Sequence, residues 1–132
     1  MLTASRIWKV ACILLMHAVV MGAFAAHALK NTLDPQAQHW WALAVSYQRT
    51  HALALLACSL VYPKIKNLSR LHWVCLMFIV GTFFFCGSLY TMALTHQKWL
   101  GAVTPIGGTL WIIAWMLACT LCWKEQDHDK GS

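Results

Sequence analysis

Acidic side chains are nearly missing from this chain. Asp and Glu together number four in 132 residues, and all charged types make up only 11%, less than half the share usual in a soluble domain. The four acids are Asp34, Glu125, Asp127 and Asp129, and none falls in an apolar run. That removes the paired carboxylates of glycosidases and aspartic proteases from the apolar segments. There is also no H-E-x-x-H and no nucleophile elbow, and "CTLC" (Cys119 to Cys122) has no second C-x-x-C to complete a metal site. Proline is scarce, three in all, and no polar stretch is long enough to be a soluble domain or a disordered arm.

What is present is apolar sequence, 60% of the chain. Crossing about 30 Å of hydrocarbon takes about 20 residues, and four runs reach that length: roughly 8–28, 40–61, 73–95 and 101–123. "KNTLDPQAQH", with Asp34 ahead of Pro35, "YPKIKNLSR" and "THQKW" carry the punctuation of connections. Short loops make neighbouring helices antiparallel. The expected fold is therefore all-α, one membrane domain over 1–132 forming an up-down four-helix bundle.

A net charge of +6 could serve nucleic acid, but the charges are placed for topology. Arg6, Lys9, Lys64, Lys66, Arg70, Lys124 and Lys130 fall on one side of the four spans, Lys30 and Lys98 on the other. This asymmetry puts both termini in the cytoplasm and names the lipid bilayer, not nucleic acid, as the partner. Trp8, Trp40, Trp41, Tyr62, Trp73, Trp99 and Trp123 stand at span ends, where amphipathic rings belong. The start "MLTASRIWKV" has a basic look, but the first apolar run is longer than a signal-peptide core, so it reads as a retained span.

Of the six cysteines, Cys12, Cys58, Cys75, Cys119 and Cys122 lie toward the cytoplasmic ends of their helices and Cys86 is mid-span. Free thiols are expected. "CTLC" reads as packing inside an apolar helix rather than as a redox pair. Small residues let helices approach in lipid, and Ala18, Gly22 and Ala26 on the first span, Gly81 and Gly87 on the third, and Gly101, Gly107 and Gly108 on the fourth are the candidates.

The polar residues inside the spans carry the functional question. Tyr47, Gln48 and His51 are three and four residues apart and share a helical face. Ser88, Tyr90 and Thr91 lie in the outer half of the third span and Thr104 just inside the fourth, with His27 at the outer end of the first. Polar groups in hydrocarbon are costly unless they meet one another. We therefore expect His27, Tyr47, Gln48, His51, Ser88, Tyr90 and Thr104 to form one outer-half cluster, either locking the bundle or binding a small molecule. Pro105, a turn into the fourth helix, would free backbone groups for such use. Arg49 points away from this face and has no acidic partner in any span, so a second protein or another copy of the chain, a water-filled groove or a lipid phosphate drawn inward would have to meet it.

"GAFAAHALK", "YQRTHALALL", "FFCGSLYTMALTHQKWLGAVTPIGG" and "AWMLA", in this order, resemble the small integral membrane family known as domain of unknown function 423, which includes transmembrane protein 256-like chains. The resemblance runs over nearly the whole chain and implies a four-helix protein of the bacterial inner membrane, with no implied reaction or cofactor. Its pattern falls on Gly22, Phe24, His27, Leu29, Tyr47, Gln48, His51, Leu53, Gly87, Ser88, Leu89, Tyr90, Thr104, Pro105, Gly107 and Gly108. Departures are Ala25, Ala28, Cys86 and Arg49.

Two functions follow. One is a non-catalytic accessory or carrier protein without catalytic or metal residues. The other is a redox protein handling quinone or haem, for which His17 and His51, both near mid-membrane, would be the axial pair. For a hydrolase, Ser88 with His51 would form only a dyad, which a polar network would also produce.

Overall fold

The computed structural model describes residues 2–124; Glu125, Asp127, Asp129 and Lys130 lie outside the described residues. Four helices follow one another: α1 Ala4–His27, α2 Pro35–Val61, α3 Leu68–Thr95 and α4 Thr104–Ala118. Each of the first three starts at a side-chain cap. Thr3 accepts from the Arg6 amide at 3.3 Å, Asp34 from Ala37 at 2.9 Å and Asn67 from Arg70 at 3.0 Å, satisfying amides that a helix start leaves open. α3 ends at His96, which turns into the left-handed region (φ 56°) and returns its amide to Met92. The His96 imidazole then sits 3.5 Å from the Asp34 carboxylate, tying the end of α3 to the cap of α2.

The chain is an up-down bundle in which α1 packs on α2, α2 on α3 and α3 on α4. Its surface is inverted relative to a water-soluble protein. Phe83 is 75% exposed, and Val19, Met16, Ile112 and Met116 are exposed too, while Gln48, His51, Ser59, Thr82 and Ser88 are buried. An apolar exterior around polar groups suits lipid as the solvent. Helices α1 and α3, and the segment Lys98–Ala118, are long and apolar enough to cross a membrane. α2 is long enough at 27 residues, about 40 Å, but Gln38, Gln48, Arg49 and His51 dilute its apolar character. Its buried polar residues face the neighbouring helices, so a composition-based reading understates it.

The fourth helix departs from the expected 101–123. A 3-10 turn, Lys98–Ala102, precedes it and α4 itself ends at Ala118. The chain beyond pairs with the α2–α3 loop: Lys66 N–H donates to Cys122 O at 3.0 Å and Lys124 N–H to Lys64 O at 2.7 Å, with Ile65 wholly buried opposite Trp123. The Arg70 guanidinium reaches the Thr120 carbonyl at 2.8 Å and its hydroxyl at 3.2 Å. These bonds replace the last helical turns. Cys119 and Cys122 therefore lie past the helix and are exposed, not packed within it, and all six thiols are free. Pro105 is likewise at the start of α4, where its missing N–H leaves no gap in the helix ladder.

The small residues divide unequally. Gly81 and Gly107 form the α3–α4 crossing: a Cβ on Gly107 would lie 2.5 Å from the Phe85 amide nitrogen, and one on Gly81 2.6 Å from the Trp111 ring. Ala18 is buried, Gly22 has Val45 at ordinary contact, Ala26 is exposed and Gly87 borders open space. Trp8, Trp73, Trp99 and Trp123 are exposed at the ends. Trp41 instead turns inward and donates to the Met21 carbonyl at 2.9 Å.

Candidate functional site

The single cluster expected from sequence is three clusters. The first joins α1, α2 and α3. Gln48, at the midpoint of α2 and 2% exposed, extends its amide nitrogen to the Leu14 carbonyl at 2.9 Å and to Nδ1 of His17 at 2.8 Å. Tyr90 donates its hydroxyl to Gln48 Oε1 at 3.1 Å. Tyr90 also meets His17 edge-on, with ring centroids 6.0 Å apart, and Trp41 at 4.8 Å. On α1 the partner is His17, near the middle of the helix, and not His27 at its end, which draws the cluster toward the middle of the bundle.

The second cluster joins α2, α3 and α4 through aromatic rings. His51 stacks on Trp111 with centroids 3.6 Å apart and planes 7° from parallel. Tyr47 stacks on the same indole at 5.6 Å and touches Phe85. Trp115 donates its indole N–H to Nε2 of His51 at 3.3 Å. Since an indole nitrogen only donates, Nε2 accepts, and the ring proton sits on Nδ1, which gives it to the Tyr47 carbonyl at 2.9 Å. Both ring nitrogens of His51 are thus in use. Trp111 in turn donates to the Phe78 carbonyl at 3.2 Å.

The third is the pair Ser88 and Thr104, whose hydroxyls are 2.7 Å apart; one donates to the other, and the accepting hydroxyl gives its single proton to a backbone carbonyl shortly before it in the chain, Phe85 for Ser88 or Leu100 for Thr104. Ser88 bonds there and not to His51, so no dyad forms. His27 is exposed at the end of α1 and takes no part in the three clusters. Thr91 bonds within its own helix.

Two grooves accompany these clusters, each between helices that are not sequence neighbours. One, of about 310 Å³, runs between α1 and α3 with α2 as its floor; Ile13, Leu14, His17, Gln48, Ile79, Thr82, Phe83, Cys86, Gly87 and Tyr90 line it. The other, of about 420 Å³, lies between α2 and α4 and is lined by Tyr47, Thr50, His51, Phe85, Gly108, Trp111, Ile112 and Trp115. His17 and His51 therefore open on different grooves, and Nε2 of His51 is held by Trp115, so the paired axial arrangement is not assembled. Among the described residues no group of three or more His, Cys, Asp or Glu could hold a metal ion.

Sequence reasoning missed His17 as a member of the mid-depth trio and Trp111 and Trp115 as the partners of His51. Spacing signals faces on one helix only; which residue of another helix meets that face depends on how the helices rotate and shift.

The chain matches, over residues 21–108, the family described as Protein of unknown function (DUF423). It is 41% identical over 102 residues to a UPF0382 membrane protein of Staphylococcus saprophyticus, covering 77% of this chain and 83% of that protein. It is 33% identical over 100 residues to the UPF0382 membrane protein YwdK of Bacillus subtilis, covering 76% and 81%. To the UPF0382 inner membrane protein YgdD of Escherichia coli it is 33% identical over 99 residues, 75% of each chain. No solved structure matches. The family match is narrower than the near-complete resemblance expected: His17, Trp111 and Trp115 lie outside residues 21–108.

Proposed function

This chain belongs to the DUF423 family, and from that premise we propose that it is a non-catalytic protein of the bacterial inner membrane that binds a small lipid-soluble molecule. The observation that carries the reading is the α1–α3 groove with Gln48, His17 and Tyr90 at its floor. A protein that only needed to hold its helices together in lipid would gain from closing this gap with side chains. Instead Gly87 stands on the wall with nothing within 4 Å of where its Cβ would be, and small Cys86 lies beside it. The volume is at the small end of ligand sites, which run from about 300 to 1,000 Å³. The polar residues at the floor are joined to one another without a carboxylate, a nucleophile with its base, or a metal set, which favours holding a molecule over transforming it.

Gly87→Leu tests this directly, since nothing lies within 4 Å of a Cβ at this position and the rest of the leucine takes up groove volume. Mass spectrometry of small molecules that copurify in mild detergent should find a lipid-soluble species with the unaltered protein and not with the variant. No copurifying species, or one that persists in Gly87→Leu, counts against the reading.

The accessory side of the proposal rests on Arg49. It is exposed on the outer face of α2, nine residues from Trp40, about 14 Å along the helix, and has no hydrogen-bonding or ion-pair partner among the described residues. An arginine at the bilayer centre costs about 2.5–3.5 kcal/mol on insertion scales. Exposed Ala42, Ser46 and Ala57 flank it on the same face and would allow another helix to come close. A helix bearing a carboxylate at that depth is the partner this face fits; a second copy would set two guanidinium groups against each other in a low dielectric.

A further inference from the structure

The mid-depth trio contains one donor with no acceptor among the described residues. Nε2 of Gln48 faces the Leu14 carbonyl at 2.9 Å and Nδ1 of His17 at 2.8 Å. A carbonyl can only accept, so the nitrogen end of the amide must point toward α1, and its second hydrogen then goes to the imidazole. The other end agrees, because the Tyr90 hydroxyl donates to Oε1. Nδ1 of His17 is therefore an acceptor and the ring proton sits on Nε2. That N–H has no partner among the described residues. No fully buried side-chain nitrogen or oxygen among them lacks a partner, so Nε2 is at an accessible surface, on a residue that lines the groove.

At mid-depth there is no water to satisfy it, and an N–H left unpaired in hydrocarbon is costly. Ile13, Ile79 and Phe83 form the walls of the groove, the hydroxyl of Thr82 is spent on the Phe78 carbonyl at 2.8 Å, and no lysine or arginine lines it to meet an anion. Lipid headgroups stay at the membrane surface, whereas this donor waits among the acyl chains. We infer that the groove takes a neutral molecule dissolved in the bilayer core, apolar except for a carbonyl group whose oxygen accepts from Nε2–H of His17. This rests on the small-molecule reading above and adds the chemistry of the ligand. A planar quinone ring and a straight-chain ketone are two sources of the same acceptor.

The test uses the full chain in lipid nanodiscs and three isotopically labelled probes: a decyl-substituted benzoquinone, a long-chain methyl ketone and decylbenzene. Each is partitioned between protein-containing and empty discs. Both carbonyl probes should be enriched about tenfold over decylbenzene, the worth of one hydrogen bond formed away from water. His17→Phe should bring them down to the decylbenzene level and leave decylbenzene itself unchanged. The infrared carbonyl stretch of the bound probe should move to lower wavenumber with the unaltered protein. A quinone enriched above the ketone assigns a planar head, the reverse a chain ketone, and either supports the inference. Equal enrichment of all three probes, unaffected by His17→Phe, overturns the carbonyl assignment and leaves the groove as a binding site. Enrichment of none, with Gly87→Leu no different, overturns the groove reading and the inference together. Should His17→Phe fail to fold, an unshifted carbonyl stretch in the unaltered protein overturns the assignment by itself.

Discussion

Gly107 crosses α3 so closely that a Cβ built on it would lie 2.6 Å from the carbonyl oxygen of Gly81. The two nearest atoms to the added carbon, the Phe85 nitrogen at 2.5 Å and this oxygen, belong to backbone, which cannot rotate aside as a side chain can, and the third, Phe85 Cβ at 2.8 Å, is fixed to that backbone. Gly107→Ala should therefore push α3 and α4 apart and destabilise the bundle by about 1–3 kcal/mol, the range for overpacking a well-packed site. Gly101→Ala meets only Met92 Sδ at 3.7 Å and should be neutral. Unfolding of the two variants in mixed detergent micelles measures the difference; equal stability would contradict the close crossing.

Gln48 holds three helices through three hydrogen bonds. Interhelical bonds in lipid are worth about 0.6 kcal/mol on average and up to about 2, so Gln48→Leu should destabilise by about 1–3 kcal/mol. Tyr90→Phe removes one bond and keeps the ring contact with Trp41, and should lose less than half as much. The same micelle titration ranks them, and a larger loss for Tyr90→Phe would show that Gln48 is not the hub.

The asymmetry of the basic residues predicts that the α2–α3 loop and both termini face the cytoplasm. Reporter fusions at Asp34 and at Asn67 should report outside and inside respectively. Identical reports from the two would overturn this orientation.

Thiol accessibility should follow the ends of the bundle. Cys119 and Cys122 are exposed beyond α4, whereas Cys58, Cys75 and Cys86 are buried and Cys12, although exposed, sits within the apolar helix α1, where lipid and not water would cover it. A water-soluble maleimide applied to the intact protein should modify Cys119 and Cys122 alone, and all six after denaturation without reductant. A deficit of two in the denatured sample would mean that a disulfide forms.

Arg49 predicts a particular neighbour. A photoactivatable residue at Leu53, exposed one turn along α2, should cross-link in native membranes to a transmembrane segment bearing an Asp or Glu, and Arg49→Leu should abolish the adduct. Adducts with another copy of this chain, with lipid alone, or with a segment lacking a carboxylate would contradict the partner proposed for this face.

Much was decided by the order of residues alone. Apolar runs of membrane length, separated by Asp34–Pro35, the Asn67 region and the His96 turn, could only become antiparallel helices, because in lipid each backbone must satisfy its own hydrogen bonds. The basic asymmetry predicts an orientation for an equally local reason. That Gln48 and His51 face inward was legible too, being a matter of helical spacing; Tyr47, expected on the same face, is 42% exposed at the α2–α4 groove. The partners of Gln48 and His51 were not legible. Gln48 turns to His17 and Tyr90 while His51, three residues on, stacks against Trp111, since a face about 100° wide on α2 is shared between two different neighbours. Which helix meets which part of that face depends on the crossing at Gly81 and Gly107 and on the swing of α1, contacts between residues far apart in the chain. The proton on Nε2 of His17 is decided further still from the sequence, by a carbonyl of α1 that fixes how one amide on α2 must point.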